Sequence, residues 1–261
     1  MSRKYLSIDK LKKRASARQK LVKQMETTDS ITSSSLVLPP YGSVKKYCPD
    51  IYDQGQLGSC TANAFCGAYR ILENIKNGRV DFQPSRLYLY YKEREIEGTV
   101  DEDSGADVID GESYVQYYGI CSEDSWPYDI EKYTVQPPVS CDQEALDHKI
   151  SSYRTIPLNS SLLTNIKKTI NSQIPVMIAI AVYESFESQS TAQTGVVTIP
   201  KKYEQCLGGH EMCIVGYNDS AKLFTVLNSW GPEWGQAGFC YIPYSYITNH
   251  NLAFEFTYFN L

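Results

Sequence analysis

Apolar positions recur at intervals of three and four through Phe65, Ala68, Tyr69, Leu72 and Ile75, predicting a helix that starts near Cys60 and ends at Asn77-Gly78. Pro84-Ser85 opens a second helical stretch, Leu87 to Ile96, closed by Gly98. A third runs from Val108 to Tyr118 and stops at Gly119. Leu162, Leu163, Ile166 and Ile170 give a further short helix, while 121–160, with Trp126-Pro127 and Pro137-Pro138, reads as irregular. Beyond it, β-branched and aromatic runs bounded by Gly, Asn and Pro predict strands at Val176–Val182, Val196–Ile199, Met212–Tyr217, Leu223–Leu227 and Phe239–Ile242. Helices first and strands second indicate an α+β fold of two packed halves.

Ahead of these elements, residues 4–24 are basic and suit a helix, and Thr27 to Ser35 is a Ser/Thr-rich linker. Leu38-Pro39-Pro40-Tyr41-Gly42 is a second break, near which the globular body starts. The chain divides into a basic segment 1–37, a helical part 38–145 and a β-rich part 146–261. Charge sharpens the first boundary. Residues 1–37 hold nine lysines and arginines against three acids, and the rest holds sixteen against twenty-seven. A basic arm on an acidic body suggests an intramolecular partner or a sorting tail.

The overall charge of −5 gives no general case for nucleic-acid binding. No apolar run of about 18 residues is present, so no membrane-spanning helix is expected. The arm lacks the apolar core of an ordinary secretory signal. The eight cysteines form no Cys-x-x-Cys pair and only His148, His210 and His250 accompany them, which speaks against a structural zinc site. With Cys60 reserved for chemistry, seven remain: either at least one more is free or none is paired.

Cys60 follows Gly58-Ser59 at the head of its predicted helix, where the helix N-terminus lowers a thiol pKa. Two later segments could complete a site, Gly208-Gly209-His210 before an apolar strand and Asn228-Ser229-Trp230-Gly231. Cys, His and Asn serve a thiol acyl-transfer enzyme as nucleophile, base and orienter. Singly, each has a plain structural reading: a core cysteine, a satisfied core histidine, a turn asparagine, and a turn at Asp53-Gln54-Gly55. The acidic loop 101–103 reads as solvated surface.

Three blocks together resemble the signatures of papain-like cysteine proteases: Gln54 through Cys60, Gly209-His210 followed by Val215-Gly216-Tyr217, and Asn228-Ser229-Trp230-Gly231 followed by Trp234-Gly235. The resemblance spans roughly residues 40 to 261. It implies a two-lobed fold, a helical lobe carrying Cys60 and an antiparallel β-barrel-like lobe carrying His210 and Asn228, with a cleft between. It implies that Cys60 attacks a peptide carbonyl, His210 holds the thiolate and protonates the leaving amine, and Asn228 orients the imidazole under Trp230. Gln54 would join the Cys60 backbone N–H in binding the oxyanion. Ser104-Gly105 would meet the substrate backbone. The pocket for the side chain two before the cut would involve Gly209, Ala179 and a residue near Phe256, favouring small or medium apolar side chains.

Four positions depart from the family pattern. Leu57 replaces a cysteine that normally forms a disulfide, Thr61 replaces an aromatic, and Glu211 replaces a small residue after the histidine. Gly208-Gly209-His210 is similar to cathepsin B, yet the loop after Gly119-Ile120 lacks paired histidines, which favours an endopeptidase. The resemblance further implies a zymogen, with 1–37 autoinhibitory and loosened by acid or salt, acting as a monomer on peptide or protein substrates with no cofactor or metal. The missing signal and the missing disulfide cysteine fit a microbial or viral relative, in a virion or cytoplasm. An inactive peptide-binding protein and a thiol acyltransferase are the rival readings.

Overall fold

The computed structural model describes residues 4–26, 37–79 and 81–261, and the Thr27–Ser35 linker lies outside them. The basic stretch forms α1 (Ile8–Glu26), and the break at Pro39-Pro40 leads into a short strand, β1 (Tyr41–Ser43). The three helices of the first half follow as expected: α2 (Cys60–Asn77), α3 (Arg86–Glu97) and α4 (Val108–Tyr118). Gly98 closes α3 in the left-handed conformation, at φ 70°, which glycine adopts without steric cost. Ser85 caps α3 and Asp107 caps α4 through their side chains.

The stretch 121–160 is less irregular than its prolines suggest. It contains α5 (Val139–Ala145), which begins just after Pro137-Pro138, and β2 (Ser152–Thr155). Pro138 occupies the N-cap of α5, where a missing N–H costs nothing. Then come α6 (Leu162–Asn171), β3 (Val176–Tyr183), α7 (Gln189–Thr194), β4 (Cys206–Asn218), β5 (Leu223–Leu227), β6 (Phe239–Pro243), α8 (Tyr244–Ile247) and β7 (Ala253–Asn260). The expected strand Val196–Ile199 is reduced to one parallel bridge between Val196 and Tyr241. The sequence pattern misses β7 because Glu255 and Thr257, its polar positions, are buried like the phenylalanines beside them.

The strands form one antiparallel sheet in the order β2-β7-β3-β4-β5-β6, with β1 on β4. Its ends do not pair with each other, so the barrel-like closure expected of the second half is corrected to an open sheet. Strand alternation divides the side chains between two faces. Ile178, Ile180, Ile214 and Phe256 join α6 and Trp230 in one core. On the other face Met177, Cys213 and Phe259 pack against α2, Phe259 stacking on Phe65 with ring centroids 4.5 Å apart. The cleft forms where α2 meets this second face, and Ala179, Ala181 and Cys60 share a third apolar cluster there.

Candidate active site

Cys60 is the first residue of α2, and Ser59 before it makes no side-chain cap. The first-turn N–H groups are therefore left to the site. The sequence expectation of a lowered thiol pKa does not hold in this state. Burial pushes the Cys60 thiol up to about 12, aided by the Glu211 and Glu93 carboxylates and opposed by the backbone N–H groups of Glu211 and Thr61. Its side chain is only 2% exposed. Thr61, the departure next to it, donates to Glu93 Oε2 at 2.7 Å inside the helical half.

His210 and Asn228 are brought together as expected, with Nε2 and Oδ1 2.8 Å apart. The Ser229 backbone N–H donates to the same Oδ1 at 2.8 Å, which fixes the amide orientation. An amide oxygen only accepts, so His210 Nε2 carries a proton in this contact. Trp230 lies over the imidazole, centroids 4.8 Å apart and planes 26° from parallel. Both partners of the hydrogen bond are buried.

Gln54 is buried and joins the two halves. Its backbone N–H donates to the Ser229 carbonyl (2.9 Å), and its Oε1 accepts from Ser229 Oγ (2.7 Å). Its Nε2 donates to the Leu57 carbonyl at 3.0 Å, one of the two hydrogens that an amide nitrogen offers. The loop 101–103 is surface at Asp101 and Glu102 as expected, and only Asp103 turns inward. Asp103 Oδ1 accepts from the Gly58 N–H (2.9 Å) and from Tyr90 OH (2.6 Å), and its Oδ2 lies 3.1 Å from Lys4. All eight cysteines are free thiols, so Asp103 provides a tether on the loop that Leu57 cannot cross-link.

The N-terminal arm fills the cleft. Leu6 forms an antiparallel bridge with Gly209, and Leu6, Leu11 and Ala15 are buried against Cys60, Ala179 and Ala181. A side chain at Gly209 would run into Leu11, and one at Gly105 into Leu6, so both glycines permit a close approach over the thiol. Gly105 stands at φ +68°, and its N–H donates to Tyr90 OH at 3.1 Å. Ser104 Oγ bonds to Thr99 Oγ1 (2.9 Å) and to the Gly105 carbonyl (2.8 Å). Tyr5 meets Trp230 edge-on at 6.4 Å.

Farther along α1, charge takes over. Arg14 pairs with Glu97 (3.0 Å) and Asp107 (3.4 Å), and Arg18 pairs with both Asp107 and Glu255. Glu211 stands beside this group, its carboxyl held well above the usual carboxylate range by burial and by Glu255, Glu112 and Asp107. Burial likewise pushes Glu255 up to about 7, against the pull of Arg18. Phe256 is not in the cleft. It pairs with Ile178 and faces the opposite core, so strand alternation turns Glu255 toward Ala179 instead. Asp107, Glu255, Asp103 and Arg18 join the arm to the body beside the candidate site, and the sequence reading missed them. Only the excess of bases in the arm over an acidic body pointed toward them. No group of side chains suited to a metal ion occurs among the described residues.

A family model described as papain family cysteine protease matches residues 42–258. An uncharacterized peptidase C1-like protein of Acanthamoeba polyphaga mimivirus is 43% identical over 209 residues, covering 78% of this chain and 67% of that protein. Vignain of Vigna mungo is 28% identical over 201 residues, 73% of this chain and 49% of the relative, so the chain spans about half the length of that plant protein. Among solved structures, xylellain, a cysteine protease from Xylella fastidiosa, is 32% identical with a TM-score of 0.79, covering 88% of this chain and 90% of its own. Digestive procathepsin L 3 of Tenebrio molitor larval midgut shares the fold at 22% identity and a TM-score of 0.68, covering 88% of this chain and 72% of its own.

Proposed function

The chain belongs to the papain family of cysteine proteases, and from that premise we propose that it is an endopeptidase made as a zymogen, with Cys60, His210 and Asn228 as its catalytic residues. The observation that carries this reading is the 2.8 Å contact of His210 Nε2 with Asn228 beneath Trp230, which leaves the other imidazole nitrogen as base. His210 takes the Cys60 proton, and the thiolate attacks the peptide carbonyl carbon. The tetrahedral oxyanion is bound by the Cys60 backbone N–H and the remaining N–H of Gln54, each worth about 3 kcal/mol of barrier. Collapse forms a thioester while His210 protonates the leaving amine, and water then releases the acid. Asn228, a neutral amide, orients the ring without over-stabilising the imidazolium.

In the closed state the segment before and within α1 blocks this chemistry by occupying the cleft and by burying the thiol. Gly209 and Gly105, which Leu6 covers, are the backbone positions that an extended peptide would use. The likeness to cathepsin B stays limited to Gly208-Gly209-His210. The loop after Gly119-Ile120 carries no paired histidines to clamp a substrate carboxylate, which supports endopeptidase over carboxydipeptidase action. One chain supplies the arm and both walls of the cleft, so the reading needs only a monomer.

Acid quenching of the reaction with an ester or peptide substrate tests it. A substrate acyl group should be found by mass on Cys60 and be absent from Cys60→Ser. Peptide binding with no acyl-enzyme would support an inactive binding protein, and transfer to an added amine in preference to water would support an acyltransferase.

A further inference from the structure

Arg86 is the first residue of α3, and its side chain is turned inward, leaving the residue 8% exposed. Backbone pairing puts Glu123 beside it: the Glu123 N–H donates to the Gln83 carbonyl at 2.7 Å, and the Ser85 N–H to the Cys121 carbonyl at 2.8 Å. Arg86 donates to this carboxylate twice, from Nε at 2.9 Å and from Nη2 at 2.6 Å. Its Cζ lies 3.9 Å from the ring centroid of Tyr128 and 4.3 Å from that of Tyr52. The remaining nitrogen, Nη1, donates to Asn63 Oδ1 at 3.2 Å and to the Asp53 carbonyl at 3.5 Å. A guanidinium only donates, so the Asn63 amide has one orientation, oxygen toward Arg86 and nitrogen away. From there the hydrogen bonds run one way. Asn63 Nδ2 donates to the Ser59 carbonyl at 2.9 Å and to Ser59 Oγ at 3.0 Å. Tyr128 spends its single hydrogen on the Gln54 carbonyl at 3.0 Å, so in the contact between Ser59 Oγ and Tyr128 OH the serine donates.

We propose that Arg86 is a positioning residue for the oxyanion hole, which it holds through Asn63, Ser59 and Tyr128. The inference rests on the cysteine peptidase reading, in which the oxyanion donors are the Cys60 backbone N–H and the side chain of Gln54. The Ser59 carbonyl and the Cys60 N–H belong to one planar peptide unit, so the bond from Asn63 to that carbonyl also fixes the direction of the N–H. Gln54 is pinned through two successive carbonyls, that of Asp53 by Arg86 and its own by Tyr128. Such donors lower a barrier only when they are aimed before the charge develops, and a displacement of about 1 Å costs about a hundredfold in rate. A buried cation at the head of the chain also polarises each hydrogen bond after it. Lysine cannot take this place, because an ammonium lacks the planar fork that binds Glu123 with two donors while a third reaches Asn63. All of these partners belong to the body rather than the arm.

Two reactions of the full chain separate this role from general support of the fold. A peptide aldehyde adds to Cys60: the S–C bond forms, the thiol proton passes to His210, and the carbonyl oxygen becomes an oxyanion in the hole. Iodoacetamide alkylates the same sulfur with loss of iodide and forms no oxyanion. Arg86→Met should lower kcat for a peptide by about 10- to 100-fold with KM near that of wild type, and weaken the aldehyde by about the same factor. Its rate of Cys60 alkylation should stay within about twofold of wild type, since no oxyanion donor is used. Arg86→Lys should resemble Arg86→Met. Tyr128→Phe serves if neither Arg86 variant folds, because it removes only the last hydroxyl of the chain and leaves Arg86 paired with Glu123. It should weaken the aldehyde about tenfold with alkylation again unchanged. Unchanged aldehyde affinity in the folded variants, or alkylation slowed as much as the aldehyde is weakened, would overturn the proposal while leaving wild-type peptidase activity intact. If wild type is alkylated but neither cleaves peptides nor binds the aldehyde, the peptidase reading fails and the proposal falls with it.

Discussion

Leu6 and Gly209 exchange both of their backbone hydrogen bonds, Leu6 N–H to the Gly209 carbonyl at 3.0 Å and Gly209 N–H to the Leu6 carbonyl at 2.8 Å. The bridge lies one residue before His210 and makes the arm a strand-like guest beside β4. The buried Leu6 side chain covers Gly105 from the same position. Backbone pairing, apolar burial and buried ion pairs thus act together, and salt should screen the last of these only weakly.

Leu6→Ala keeps the backbone bonds and removes part of the plug. Loss of a buried leucine side chain weakens closure by about 2 kcal/mol, roughly a thirtyfold shift toward the open form. The initial rate of peptide hydrolysis by the full chain is expected to rise by at least tenfold. An unchanged or lower rate would mean that Leu6 does not gate the cleft.

Asp103→Ala removes the acceptor shared by Gly58 and Tyr90 and the partner of Lys4. A buried N–H left without a partner costs about 1–3 kcal/mol. The melting temperature should fall by about 3–8 °C, and Asp103→Asn, which keeps an acceptor oxygen, should recover part of it. Loss confined within 1 °C would mean that Asp103 does not tether the loop.

Burial pushes the carboxyl groups of Glu93, Glu112 and Glu211 well above their ordinary value of 4.5, and Glu255 to about 7. Each takes up a proton in the fold that it would lack in the unfolded chain. Their contribution to stability is fully present below about 4.5; that of Glu255 is lost as pH rises through about 7, and those of Glu93, Glu112 and Glu211 as pH rises through their own raised values. Charge alone points the other way, toward an arm released by acid; burial sets the sign, because acid favours the form in which these groups stay covered. The melting temperature should therefore be several degrees higher at pH 5 than at pH 8. A curve that climbs toward pH 8 would contradict the burial of these carboxylates.

Asn228→Ala removes the acceptor that orients His210. It should lower kcat by about 10- to 100-fold with little change in KM, since positioning of the imidazole matters most in the transition state. A change confined to KM would assign Asn228 to substrate binding.

The parts of this site legible in the sequence were those fixed by local chemistry. Cys60 sits at a helix start, His210 lies in an apolar strand, and Asn228 precedes Ser229-Trp230-Gly231, so each could be read from its own neighbours. The acidic group around Arg18 could not. Asp107, Glu211 and Glu255 are far apart in the chain and meet only through the register of β3 with β4 and β7 and the approach of α4. Strand β7 was hidden for the same reason, because its buried polar positions break the contrast that periodicity detects. Phe256 and Glu255 differ by a single step, and that step exchanges core for cleft.

The account turns on Cys60 being a nucleophile activated by His210 and masked by its own arm. Mass mapping after treatment with a peptidyl epoxide measures this directly. The expected result is one label per chain, on Cys60, formed slowly in wild type, faster in Leu6→Ala and absent in His210→Ala. Labels spread evenly over several cysteines, or undiminished labelling of Cys60 in His210→Ala, would contradict it.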